Sequence, residues 1–136
     1  MKELEWPVRV YLEDTDAQGV VYNASYFRFM ERARTEWLRQ RGIDHGEARE
    51  RYGVLFVLTS IEADFHAPAV LGDLLVVSAN VIDTRGARMA FDQSIRRAES
   101  AEGPICTGRA EVACMDAALR KPRRWPAELL RELRKK

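Results

Sequence analysis

One amphipathic helix followed by a long series of strands constrains this chain more than any other feature. Tyr26, Phe29, Met30, Ala33, Trp37 and Leu38 recur at three- and four-residue spacing, a broad apolar stripe on one helix. Asn23 or Ser25 is placed to cap its start, and Gly42 supplies the stop. The polar residues Arg28, Glu31, Arg32, Arg34, Thr35 and Arg39 are expected to cover the rest of its surface. No further long helical pattern follows until a short helix at 126–134.

Extended runs fill the remainder. Residues 4–12 alternate Val8, Val10 and Leu12 against Arg9, Tyr11 and Glu13, the pattern of a half-exposed strand. Residues 54–66, 73–84, 88–98 and 105–117 read as four more strands, broken at Ala67-Pro68-Ala69, Arg85-Gly86 and Gly103-Pro104. Between them and the helix, residues 44–52 read as a short surface helix or turn ended by Gly53, with His45 solvated. Short breaks favour antiparallel pairing of consecutive strands, although sequential order need not be spatial order. The fourth run buries Met89, Phe91, Gln93 and Ile95 and wets Arg88, Asp92, Ser94 and Arg96. One face of the fifth carries Cys106, Gly108, Ala110, Val112 and Cys114, small residues that admit a close neighbour. The only large apolar partner available is the helix. The expected fold is therefore α+β: a long, curved antiparallel sheet of about five strands wrapped around one central helix. In the third run, Leu74, Val76 and Ile82 lie on one face and Leu75, Val77 and Val81 on the other. One helix covers only one side, so a second copy or a substrate chain is expected on the other.

Composition narrows the class. A chain of 136 residues with 46% hydrophobic content is expected to make one domain over 1–136, with no membrane span. MKELEWPVRV carries acids where a signal peptide would be apolar, which points to the cytoplasm. Eight of the 22 Lys/Arg and two of the 21 Asp/Glu fall in 120–136, so that segment is near +6 and the remainder near −5. Without aromatic interleaving for base stacking it reads as a solvated basic tail, and no nucleic-acid partner is expected. Cys106 and Cys114 sit on one strand about 26 Å apart, too far to pair, and are expected to be free buried thiols. His45 and His66 form no ligand cluster, so no metal is expected, and no cofactor motif is present.

The chemistry concentrates in EDTDAQGVVYNASYFRFMERAR, residues 13–34. Asp14 and Asp16 open it, Gly19 gives flexibility, and Val20-Val21 lead through Tyr22-Asn23 into the helix. A helix start presents unpaired N–H groups and a positive dipole end, which stabilise an anion or a polarised carbonyl oxygen. A carboxylate seven residues ahead of it could share one electrophile with that site. The plainer reading is a capped helix after an acidic turn.

These residues, with IEADFHAPAVLGDLLVV and EVACMDAALRKPRRWP further on, resemble the hotdog-fold acyl-CoA thioesterases. The family is that of 4-hydroxybenzoyl-CoA thioesterase, and the branch is the bacterial one associated with the Tol-Pal envelope system. The resemblance implies the hotdog fold and hydrolysis of an acyl-CoA to a free carboxylic acid and CoA, with coenzyme A held as part of the substrate and no other cofactor. It carries the catalytic carboxylate to Asp16, as nucleophile through a mixed anhydride or as general base for water. It carries the carbonyl-polarising N–H to Asn23, and substrate contacts to Gly19, Val20, Val21 and Tyr22. It implies a homodimer or homotetramer with sites at the seam, and allows peripheral association with the inner membrane or envelope machinery. Asp14 is expected to hold the loop by local hydrogen bonding.

The branch commonly has His where this chain has Asn23. A backbone donor survives that change, but an imidazole role does not. Glu31 and Glu36 are weaker carboxylate candidates, read as solvated or ion-paired. Arg85, Arg88, Lys121 and Arg123 are candidates for holding CoA. Related hotdog dehydratases use a His with an acid, and no His occupies this loop or helix. The alternative is a non-catalytic acyl- or partner-binding module.

Overall fold

The computed structural model describes residues 3–135. Strand β1 (Leu4–Arg9) leads through a 3₁₀ turn (Leu12–Asp14) into helix α1 (Asn23–Gln40). A short helix α2 (His45–Glu47) continues as a π-helical turn (Ala48–Tyr52). Strands β2 (Val54–Phe65), β3 (Leu74–Arg85), β4 (Arg88–Arg97) and β5 (Cys106–Asp116) follow, and α3 (Ala127–Arg134) closes the chain. Each expected element is present with its ends moved by a few residues. The largest change is in the first strand, which ends at Arg9. There the Asp14 carboxylate accepts from the Tyr11 N–H at 2.8 Å and winds the backbone into the 3₁₀ turn.

The five strands form one antiparallel sheet in the order β1-β3-β4-β5-β2. Consecutive pairing therefore holds for β3-β4-β5 and fails between β2 and β3, since β2 lies at the edge against β5. Period-two alternation specifies which face of a strand is buried and leaves its neighbour open, so a β2–β3 pairing was equally compatible with the pattern.

Helix α1 presses its stripe onto the concave face: Phe29, Met30, Ala33 and Trp37 are at most 1% exposed. Trp37 meets Phe91 edge-on at 5.5 Å. Gly108 shows how tight the fit is on β5, because a Cβ there would stand 3.0 Å from the Met30 methyl and 2.9 Å from the backbone oxygen of Glu62. The small-residue face is thus the seat of the helix. Ser25 does not cap α1, and Asn23 is its first residue. Tyr22 stands at the cap because its N–H is held by the carbonyl of Asp14 at 2.9 Å. Gly42 ends the helix with φ +80°.

Two sequence readings need revision. Residues 120–135 are more than a solvated tail, for Trp125, Leu129 and Leu133 belong to the core. Arg41, stacked 3.7 Å over the Trp37 ring, ties α3 in place by donating Nε–H to the Leu133 carbonyl at 3.0 Å. Arg34 is buried instead of lying on the polar surface. Cys106 and Cys114 are free and buried, and burial above all pushes both thiols up to about 11. Outward on β3, Leu74 and Ile82 are exposed while Leu75 and Val77 are buried, so apolar groups do face both sides. Among the described residues no helix is long and apolar enough to cross a membrane.

Candidate active site

Asp16 sits on a tight loop. Its N–H donates to the Val20 carbonyl at 2.8 Å, its own carbonyl accepts from Gly19 N–H at 3.1 Å, and Gly19 turns the chain with φ +82°. Thr15 and Val21 then bridge antiparallel, so the loop leaves and re-enters beside itself. Oδ1 of Asp16 accepts from Gln18 N–H at 2.8 Å, which orients the carboxylate, and the residue is exposed to solvent. Oδ2 has no protein partner among the described residues.

Asp14 plays the opposite part. It is 3% exposed, its side chain holds Tyr11 N–H, and its carbonyl accepts from both Tyr22 N–H at 2.9 Å and Ser25 Oγ at 3.2 Å. The Arg28 guanidinium stands 3.8 Å from its Oδ1. The strand end and the first helical turn are thereby joined at one residue. No side chain caps the helix at Tyr22, and the Ser25 N–H turns to the Tyr22 carbonyl at 2.8 Å, which leaves the N–H groups of Asn23 and Ala24 for another acceptor. Asp14 with Tyr22, Thr15 with Val21 and Asp16 with Val20 close the loop, so Asp16 stands at its tip and the start of α1 at Asn23 follows its base.

A second layer holds the loop from behind. Val21 N–H donates to the Ala69 carbonyl at 2.9 Å, Val20 bridges Val70, and Ala69 N–H donates to the Tyr26 hydroxyl at 3.1 Å. Burial above all raises the Tyr26 phenol above its ordinary range. Of the four expected contact residues, Gly19 and Tyr22 are exposed and Val20 is half-buried, while Val21 is turned into the core.

Phe27 and Phe65 escaped the sequence reading. The Phe65 ring lies 5.6 Å from Tyr26 and 6.2 Å from Phe27, forming an aromatic wall within one turn of the helix start. Phe27 falls off the α1 stripe and Phe65 ends a strand 38 positions later, so no local pattern pairs them. Beyond this wall a cavity of about 470 Å³ runs along α1 from Phe27 to Leu38, floored by Phe56, Leu58 and Ile61 of β2 with Phe91 and Val112. Glu31 and His45 also line it, the latter beside Phe56 and exposed as expected. Glu36 is ion-paired with Arg39 at 2.7 Å.

The expected CoA cations do not gather at the loop within one chain. Arg85 ends β3, on the order of 35 Å along the strand from Leu74. Arg85, Arg88 and Arg123 each face an acid, Asp83, Glu111 and Asp116 respectively. Nearer the loop are Arg9, donating to the Gly72 carbonyl, and Arg97, paired with Asp73. Among the described residues no three His, Cys, Asp or Glu side chains converge as a metal site.

Comparison with known proteins agrees with this architecture. The model of the thioesterase-like superfamily matches residues 10–133. The acyl-CoA thioester hydrolase YbgC of Escherichia coli O6:H1 is 41% identical, over 95% of this chain and 94% of its own. A probable thioesterase from Bartonella henselae is 34% identical with a TM-score of 0.83, over 92% of this chain and all of that one. A 4-hydroxybenzoyl-CoA thioesterase mutant crystallised with 4-hydroxybenzoyl-CoA superposes with a TM-score of 0.87 over 98% of this chain and 99% of its own; at 15% identity that likeness shows the fold. One curved sheet around one helix, with these relatives, makes this chain a member of the thioesterase-like superfamily with the hotdog fold.

Proposed function

We propose that this chain hydrolyses acyl-CoA thioesters, with Asp16 and the start of α1 at Asn23 as the reacting site. The observation that carries the proposal is that one short loop holds an exposed, oriented carboxylate at its tip and leads at its base into an uncapped helix start, about one turn from an apolar cavity. The relatives named as acyl-CoA hydrolases support the substrate class. The Asn23 N–H and the dipole polarise the thioester carbonyl and take up charge as its oxygen becomes an oxyanion. Asp16 either adds to the carbonyl carbon, giving a mixed anhydride that water then opens, or removes a proton from a water that adds there. In both routes a C–O bond forms, the C–S bond breaks, and the departing CoA thiolate ends as a thiol. Both need Asp16 charged. Asn23 serves through its backbone, so its amide side chain is not asked to move a proton.

The test is release of free thiol from a panel of short, long and aromatic acyl-CoAs. Catalytic release well above the uncatalysed rate is expected for at least one. Binding without release would assign the chain to the non-catalytic class instead.

A second copy of the chain is part of this reading. Leu74 and Ile82, on the face of β3 turned away from α1, are each at least 38% exposed. Helix α1 covers the opposite face of the sheet, and a homodimer or homotetramer covers this one. Sedimentation at micromolar concentration is expected to show a dimer or larger species, and a monomer there would remove the argument.

A further inference from the structure

The cavity along α1 is apolar except for a short charged series, and its most buried member is Arg34. The residue is 7% exposed, and desolvation lowers its affinity for its proton. Its Nη1–H donates to Gln93 Oε1 at 2.9 Å, and Gln93 in turn donates to the carbonyls of Met30 and Ser78 at 3.0 and 3.1 Å. No acid pairs with Arg34 within ion-pair distance among the described residues. Glu31, one turn nearer the helix start, acts on it only at longer range and is exposed. A guanidinium carries five N–H donors, and a neutral amide occupies one. Tyr52 Oη is the enclosed side-chain polar atom without a partner among the described residues. The donors of Arg34 that Gln93 does not take are therefore not sealed in protein, and the residue lines the cavity.

A buried cation is retained at a cost unless something compensates it. The charged side chains lining this cavity are Arg28, Glu31 and Arg34; Arg28 is already beside Asp14 and Ser25, and Glu31 is exposed, so Arg34 is the charge buried there without a close acid. Arg34 lies eleven residues from Asn23, about 16 Å along the axis from the proposed thioester carbonyl. Its side chain leans back toward that end. We propose, resting on the acyl-CoA reading above, that Arg34 selects acyl groups bearing an oxygen acceptor at their far end, a carboxylate before a hydroxyl. Phe27, Phe56, Leu58 and Ile61 hold the methylene or aryl body of such a group, and the already desolvated guanidinium meets its oxygens. A planar fork matches a carboxylate with two parallel hydrogen bonds.

Affinities of non-hydrolysable thioether analogues of decanoyl-CoA, ω-hydroxydecanoyl-CoA and ω-carboxydecanoyl-CoA test this without requiring turnover. The wild-type chain is expected to bind the ω-carboxy analogue about ten- to a hundredfold more tightly than the ω-methyl one, with the ω-hydroxy between. Arg34→Met keeps the stem and removes the fork, and should bring that ratio to one or below. Arg34→Lys keeps the charge, folds with the least disturbance, and should retain an intermediate ratio. Equal wild-type affinities for the three analogues, or a preference for the methyl end, would overturn the inference and leave the acyl-CoA reading standing. So would an unchanged ratio in both variants. Absence of binding by all three would remove both. A wild-type ratio near one that accompanies an Arg34-dependent dimer would assign the guanidinium to an acid of the second copy.

Discussion

Gly108→Val is expected to lose about 2 to 4 kcal/mol of stability, a drop of roughly 10 °C in thermal midpoint for a domain of this size. The backbone at Gly108 is not left-handed, so the penalty is entirely one of space. The first added carbon already falls 2.9 Å from the Glu62 carbonyl oxygen, on the strand paired with β5, and 3.0 to 3.3 Å from the Met30 thioether. Met30 can turn aside, but a backbone atom of the paired strand cannot without opening the β2–β5 ladder. The two further methyls of Val deepen the clash on the face where α1 rests. Equilibrium denaturation reads the loss. A change below about 1 kcal/mol would mean that the helix stands further from β5 than the structure places it.

That contact also marks where the sequence was legible. Alternation along β4 and β5 and the stripe on α1 each state a buried face, and burying all three on one another leaves little choice but a sheet around a helix. The small residues at Cys106, Gly108 and Ala110 even say which strand the helix approaches. Spatial order was not readable, because alternation is silent on neighbours, and β2 reaches β5 past two intervening strands. Arg34 was misplaced for a related reason. Its partner Gln93 is 59 positions away, and a charged residue type alone says surface. The cap of α1 was misread at Asn23 and Ser25 because the Asp14 carbonyl, a backbone atom with no signature in the sequence, fixes Tyr22 instead.

The site divided similarly. Asp14 as the structural acid followed from the usual behaviour of a first Asp in a turn, and its hydrogen bonds to Tyr11, Tyr22 and Ser25 bear that out. The candidate role of Asp16 came from the family pattern, and the loop supplies what that role needs, exposure and orientation. Phe65 and the cavity floor on β2 arise only when the sheet curls, so they had no local signal.

The central claim, that the charge on Asp16 drives thioester hydrolysis at the start of α1, is tested most directly by comparing Asp16→Asn with Asp14→Asn. Asn at position 16 keeps the size of the side chain and an oxygen for Gln18 N–H, so the loop and the thermal midpoint should survive. Neither addition to the carbonyl nor proton removal from water is open to a neutral amide. Turnover of the best acyl-CoA substrate should fall by about 10²- to 10⁴-fold. Asp14→Asn removes the anion beside Arg28 and weakens the bond to Tyr11 N–H, which costs about 1 kcal/mol of stability but leaves turnover close to that of the wild type. The measurement is kcat by thiol release together with thermal midpoint, on both variants and wild type under the same conditions. Loss of kcat confined to Asp16→Asn at an unchanged midpoint is the predicted result. Equal losses of activity in the two variants, each following its loss of stability, would show the loop to be structural and contradict the assignment of Asp16.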